Sequence, residues 1–163
     1  MVNAFGSAAW QTWALIAYIV FLVGVAAYDI RFRRVPNAAV YPAIAVAAVA
    51  ATMRPGDGPW WSYWLAGLAA AGLLLALGAA SRGGMGVGDA KLAAVIGLVA
   101  GWPGVVVALF VAFAAGAISG LTLVAAGADR RTAIPFAPAL GVGAIMAVVA
   151  GRQLASILMP WLG

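Results

Sequence analysis

The chain carries four carboxylate side chains, Asp29, Asp57, Asp89 and Asp129, and no histidine, cysteine or glutamate. That inventory decides which chemistry is open to it. A zinc-protease helix of the H-E-x-x-H kind needs two histidines and a glutamate. A serine nucleophile of the triad type needs an imidazole base, which the "GAISG" stretch at 116–120 has no means of finding. Without cysteine there is no thiol nucleophile, no disulfide and no thiolate metal site, so no metal and no cofactor is expected. Two aspartates can still activate water. One ionised carboxylate takes a proton from it while a protonated partner polarises a scissile carbonyl. Two aspartates can also relay protons through a membrane.

Whether two of the four can meet depends on the elements that carry them. Of 163 residues, 66% are hydrophobic and 8% charged, with a mean hydropathy of +1.09. Soluble domains carry roughly 25% charged residues. The composition therefore predicts an all-α integral membrane protein, read as one polytopic domain over 1–163. The net charge of +5 is too small, and too scattered, to make the basic face that nucleic-acid binding requires. No Lys or Arg precedes the first apolar run. A secretory leader would begin with such a basic stretch, so the run is predicted to be a retained span.

A spanning helix needs about 20 apolar residues to cross ~30 Å of hydrocarbon. Residues 8–28, 38–53 and 58–81 supply three such runs, the second shorter than the others. From Leu92 to Ala128 no charge occurs, and as one straight helix this run is too long for a single crossing. "GWPG" at 101–104 holds a proline and two glycines, which break helices, so the run is predicted to divide there into a fourth and a fifth span. A sixth covers 133–150 and extends toward Leu158. With six spans, Arg31, Arg33, Arg34, Arg82, Lys91, Arg130 and Arg131 fall on one side and only Arg54 and Arg152 on the other. The positive-inside rule then makes the first side cytoplasmic and places both termini outside.

Asp57 lies in the turn sequence "RPGDGP" on the outer side, and Asp129 in "GADRRT" among arginines; both read as solvated surface groups. Asp29 closes the first span and Asp89 opens the fourth. Only about a dozen residues separate Asp89 from Gly101, ~18 Å of helix, so the fourth span must start below the membrane surface. An ionisable group at that depth is costly and a functional candidate by default. Each acid has a structural alternative. Gly-Asp before an apolar helix is ordinary helix-start chemistry, with Asp89 as N-cap, and Asp29 can pair with Arg31 or Arg33. Helix dipoles separate the two: Asp89 at a helix N-terminus is expected to act as base and Asp29 at a C-terminus as acid.

Three stretches then resemble the type IV prepilin peptidases, membrane aspartyl proteases of the G-x-G-D kind. "YDIRFRRVPN" (28–37) resembles the family's D-x-R-x-x-x-x-P-N motif, "GVGDAKL" (86–92) its G-x-G-D-x-K-L motif, and "IPFAPALGVG" (134–143) the proline–phenylalanine stretch opening its last span. The resemblance implies Asp29 and Asp89 as the catalytic pair, with Gly86 and Gly88 shaping the approach to Asp89. It implies Lys91 holding nearby charge in check, Pro36 and Asn37 starting the second span with Asn37 as N-cap, and Pro135, Phe136 and Pro138 as packing and helix-start residues. The reaction implied is cleavage after the glycine that ends a short basic leader, at the cytoplasmic membrane face of a bacterium. The partners implied are a prepilin or pseudopilin substrate and the lipid bilayer. Larger members carry a cytoplasmic insert with paired cysteines and also methylate the new N-terminus. The first loop here has about eight residues and no cysteine, which resembles the short Tad/Flp-type form without methyltransferase activity. A peptidase cutting lipoprotein signal peptides, or a small proton-coupled transporter, remains the alternative.

Overall fold

The computed structural model describes residues 8–53, 59–81, 86–127 and 135–159. Asp57, Asp129, Arg54, Arg82, Arg130, Arg131 and both chain ends lie outside the described residues, as does the side chain of Arg152. Five helices account for the rest: α1 (Ala8–Phe32), α2 (Asn37–Met53), α3 (Trp60–Ala80), α4 (Val87–Ala125) and α5 (Ala137–Leu158). Gln11–Phe32, Trp60–Ala80 and Val87–Ala125 are long and apolar enough to cross a membrane, while Asn37–Met53 and Ala137–Gly151 are shorter apolar helices. The all-helical, multi-pass expectation therefore holds.

Inside α4 the backbone leaves the helix at Gly101 (φ 62°, ψ −170°) and Trp102 (φ −90°, ψ 137°), just ahead of Pro103. Glycine is required there twice over. Its φ is one that L side chains rarely adopt, and a Cβ would sit 2.6 Å from Tyr63 Cε1 on α3. The "GWPG" breaker thus makes α4 two helical segments. By contrast, α1 runs four residues past the expected end at Tyr28, so Asp29 lies within its last turn rather than after it.

Contacts fix the direction of each segment. Tyr63 meets Gly101 and, further along α3, Gly67 meets Gly97, so the first α4 segment is antiparallel to α3. The start of α2 meets Lys91 and its later turns pack on Val95 and Leu98, so α2 runs parallel to that segment. On the second α4 segment Ala108 faces Gly143 and Gly116 faces Phe136, an antiparallel pairing with α5. Helix α1 is antiparallel to α5 through Asp29 near Ala137 and Leu22 near Gly141. Around the first α4 segment α2 is thus parallel and α3 antiparallel, and α1 and the second α4 segment each run antiparallel to α5.

Lipid tails are as apolar as leucine, so helices in a bilayer associate by close packing at small residues rather than by hydrophobic burial. The core follows that rule. Ala66, Ala70, Ala90, Ala93, Ala108, Ala112, Ala137 and Ala144 interleave with Leu22, Leu74, Leu92, Ile96 and Leu140, all buried. The outside is equally apolar, with Val20, Leu68, Leu121 and Ile157 exposed. Polarity changes along the axis instead. Exposed Trp13, Trp60, Trp61, Trp64 and Trp102 lie at one end, and exposed Arg31, Arg33 and Arg34 at the other, with the aspartates. Tryptophan favours the membrane–water boundary, which gives the bundle a membrane axis.

Candidate active site

The last turn of α1 carries Asp29, which is only 4% exposed. Its Oδ2 accepts the Ala137 N–H at 3.2 Å. That donor is one of the N–H groups that a helix start leaves without an intrahelical partner. The neighbouring sequence explains why it is free and why it is there. Pro138, next along α5, has no N–H to satisfy. Phe136, the N-cap residue, is wedged against α4, its ring 5.6 Å from that of Phe113 and so close to Gly116 that a Cβ there would meet it at 2.8 Å. "IPFAP" thus delivers a helix N-terminus to Asp29, and the carboxylate takes that N–H rather than pairing with Arg31 or Arg33.

Asp89 is the third residue of α4, not its N-cap, and is 9% exposed. Its carboxylate turns back so that Oδ2 accepts the Gly86 N–H at 3.3 Å, half of a capping box. Asp29 and Asp89 lie close enough for the charge on one to act on the other. Each therefore accepts an N–H at a helix start. This removes the asymmetry from which helix dipoles alone assign Asp89 as base and Asp29 as acid. Asp29 does sit near a C-terminus, but the start of α5 faces its carboxylate.

The two glycines do different work. Gly86 has an ordinary φ of −77° and room for a Cβ, 3.5 Å from Asp89 Oδ2, so its contribution is its N–H. Gly88 is where the α1–α2 connection lands on α4: a Cβ would lie 2.8 Å from Val35 Cβ and 3.1 Å from its Cγ2. The connection reaches this spot by a sharp turn after α1. The Arg33 N–H bonds Asp29 C=O at 2.7 Å, and Arg33 itself takes a left-handed φ of 51°, a conformation costing a non-glycine residue roughly 1–2 kcal/mol.

Lys91 does not touch either aspartate. Its Nζ donates to Asn37 Oδ1 at 3.0 Å and to the Tyr41 hydroxyl at 2.9 Å, with the nitrogen 4.6 Å from the Tyr41 ring centroid. Asp89 and Lys91, two residues apart, point about 200° away from each other around the helix, so the lysine faces α2. Asn37 is the first residue of α2 rather than its cap. The N–H groups of Ala39 and Val40 go to Pro36 C=O, and the Asn37 amide goes to Lys91. Tyr41, the donor Ala137 and the buttress Val35 escape motif reading. Only Tyr41 left a trace, standing one turn after Asn37 on the same helix face.

Over residues 16–121, which contain both aspartates and both glycines, the sequence matches the type IV leader peptidase family. The chain belongs to that family. It is also 38% identical over 143 residues to the prepilin leader peptidase/N-methyltransferase of Bacillus subtilis (strain 168), a match covering 86% of this chain and 57% of that protein. The chain thus spans little more than half the length of this family member. No solved structure matches it at a significant level.

Proposed function

We propose that this chain is a membrane aspartyl endopeptidase that removes the short basic leader from type IV prepilins or pseudopilins of the Flp/Tad kind. It cuts after a glycine at the cytoplasmic face of the bacterial inner membrane, with Asp29 and Asp89 as the catalytic pair. One observation carries the reading: two largely buried carboxylates, from α1 and α4, converge at the arginine-rich end of an apolar bundle, within electrostatic reach of each other. A proton-coupled transporter would want acids along the membrane axis, whereas these two share one level.

In the reaction, an ionised carboxylate takes a proton from water as the water oxygen attacks the scissile carbonyl carbon. The partner's proton goes to the carbonyl oxygen, and the tetrahedral intermediate collapses as the leaving nitrogen is protonated. The six helical segments are read as six spans, with the aspartate end cytoplasmic because Arg31, Arg33 and Arg34 cluster there. A leader cut at that boundary needs carboxylates at that boundary. The proposal concerns peptide hydrolysis only; N-methylation belongs to the name of the Bacillus subtilis protein and is not part of it.

Co-expression with candidate prepilins, read by intact mass, tests this. The expected product lacks a leader ending in glycine. Unprocessed prepilin across all Flp-type candidates, with the enzyme inserted in the membrane, would refute the reading. The Gly88 contact supplies a finer check. Gly88→Ala drives a Cβ into Val35 and shifts the end of α1 against the start of α4, where displacements near 1 Å cost about 10²-fold in rate. Val35→Gly in the same chain removes the opposing Cβ and is expected to recover most of that loss in a cleavage-rate assay.

A further inference from the structure

The N–H that Asp29 accepts belongs to the Ala137 backbone, so its place is set by whatever holds the start of α5. Two contacts pin α5 to the second α4 segment. At the first, a Cβ on Gly143 would meet Ala112 N at 3.0 Å and the Ala108 carbonyl closer still. At the second, the Phe136 ring packs on Phe113 and meets Gly116, where a Cβ would come 2.8 Å from Cε2 and 3.2 Å from Cδ2. A rod held at one point can tilt about it, and a second point fixes its direction. Phe136 stands two turns before Gly143, about 10 Å along the axis, so a tilt of about 6° at the Gly143 crossing moves the α5 start by about 1 Å. At 3.2 Å the bond to Asp29 is already near the limit for N–H···O, and a shift of that size weakens or breaks it. Pro138, next along the first turn, has no N–H to offer in its place.

We infer that Phe136 is a positioning residue for hydrolysis: seated on Phe113 and Gly116, it holds the α5 start where the Ala137 N–H meets Asp29, and so keeps that carboxylate aimed beside Asp89. This rests on the peptidase reading above. The ring packs on α4, and its effect on the reaction passes through the backbone of its neighbour. The step it governs is therefore the chemistry of the aspartate pair, where a displacement near 1 Å costs about 10²-fold, and not the binding of the leader. A side chain that served bundle stability alone would change the amount of folded protein and leave the turnover of each folded molecule as it was.

The test measures kcat and KM for one prepilin with the full chain in liposomes, below the melting temperature of every variant. Phe136→Ala is expected to lower kcat by about tenfold to 10²-fold, the range from one lost charge-assisted hydrogen bond to a 1 Å misplacement, with KM kept. Phe136→Leu, which refills much of the ring's place, should lose less. Gly116→Ala pushes the ring off its seat and should lower kcat as Phe136→Ala does. Adding Phe136→Leu to that chain takes away the ring edge that the new Cβ strikes, and should recover most of the loss. This pair reads the same contact without a large cavity, so the inference stays testable if Phe136→Ala does not fold. Met159→Ala is the structural control: it empties a buried place at the other end of α5, and should lower the melting temperature while keeping kcat. The inference is overturned if Phe136→Ala and Gly116→Ala keep kcat, if KM alone rises, if Phe136→Leu does not rescue Gly116→Ala, or if Met159→Ala lowers kcat as much. Failure of the wild-type chain to cleave is a different result: it sinks the peptidase reading and takes this role of Phe136 with it.

Discussion

Asp89→Asn and Asp29→Asn are each expected to lower the rate of leader removal by about 10³-fold or more, the scale of losing a general acid or base that works as part of a unit. The fold should survive both changes. An asparagine side chain still offers a carbonyl oxygen to the N–H of Gly86 or Ala137, the bonds that the carboxylates now accept. It also takes one acid away from a neighbouring pair of like charge in a largely buried place, which relieves their mutual repulsion. A dead enzyme with an unchanged or raised melting temperature in detergent is therefore the expected pairing. If the aspartates were only helix-start groups, the same variants would leave cleavage intact.

The second large effect is on stability. Gly97→Ala places a Cβ 2.5 Å from Ala66 O and 2.6 Å from Gly67 Cα, both backbone atoms that no rotamer change can move. Overpacking of this kind costs about 3 kcal/mol when neighbours cannot give. In a bilayer the loss falls on the close helix approach that holds the bundle together. Gly143→Ala, aimed at the Ala108 carbonyl, should behave alike. Gly72→Ala on α3 is the control: nothing lies within 4 Å of its Cβ position, and alanine favours a helix over glycine by about 1 kcal/mol. Unfolding in mixed detergent micelles should rank Gly72→Ala at or above the parent chain and the other two well below it.

Much of this was legible in the sequence. The absence of His, Cys and Glu narrows the chemistry to aspartates before any fold is known. The "GWPG" break is written in residues that cannot continue a helix, and the structure leaves the helix at Gly101 and Trp102. What stayed hidden is tertiary. The Ala137 N–H carries no side-chain signature, yet it is the partner of Asp29, and it arrives only because Phe136 packs on Phe113 and Gly116. Lys91 reads as a counter-charge because it stands two positions from Asp89, but helical geometry turns it toward Asn37 and Tyr41. The dipole argument for acid and base lost its premise for the same reason: it rests on each aspartate's own helix, and the start of α5, which faces Asp29, comes from more than a hundred residues away.

The account turns on the two aspartates acting as one device. The direct measurement is the cleavage rate of a prepilin by the purified chain in liposomes, for Asp29→Asn, Asp89→Asn and the double variant. A unit predicts that the double variant is no slower than either single one. Two losses that multiply, or near-normal cleavage by either single variant, would contradict it.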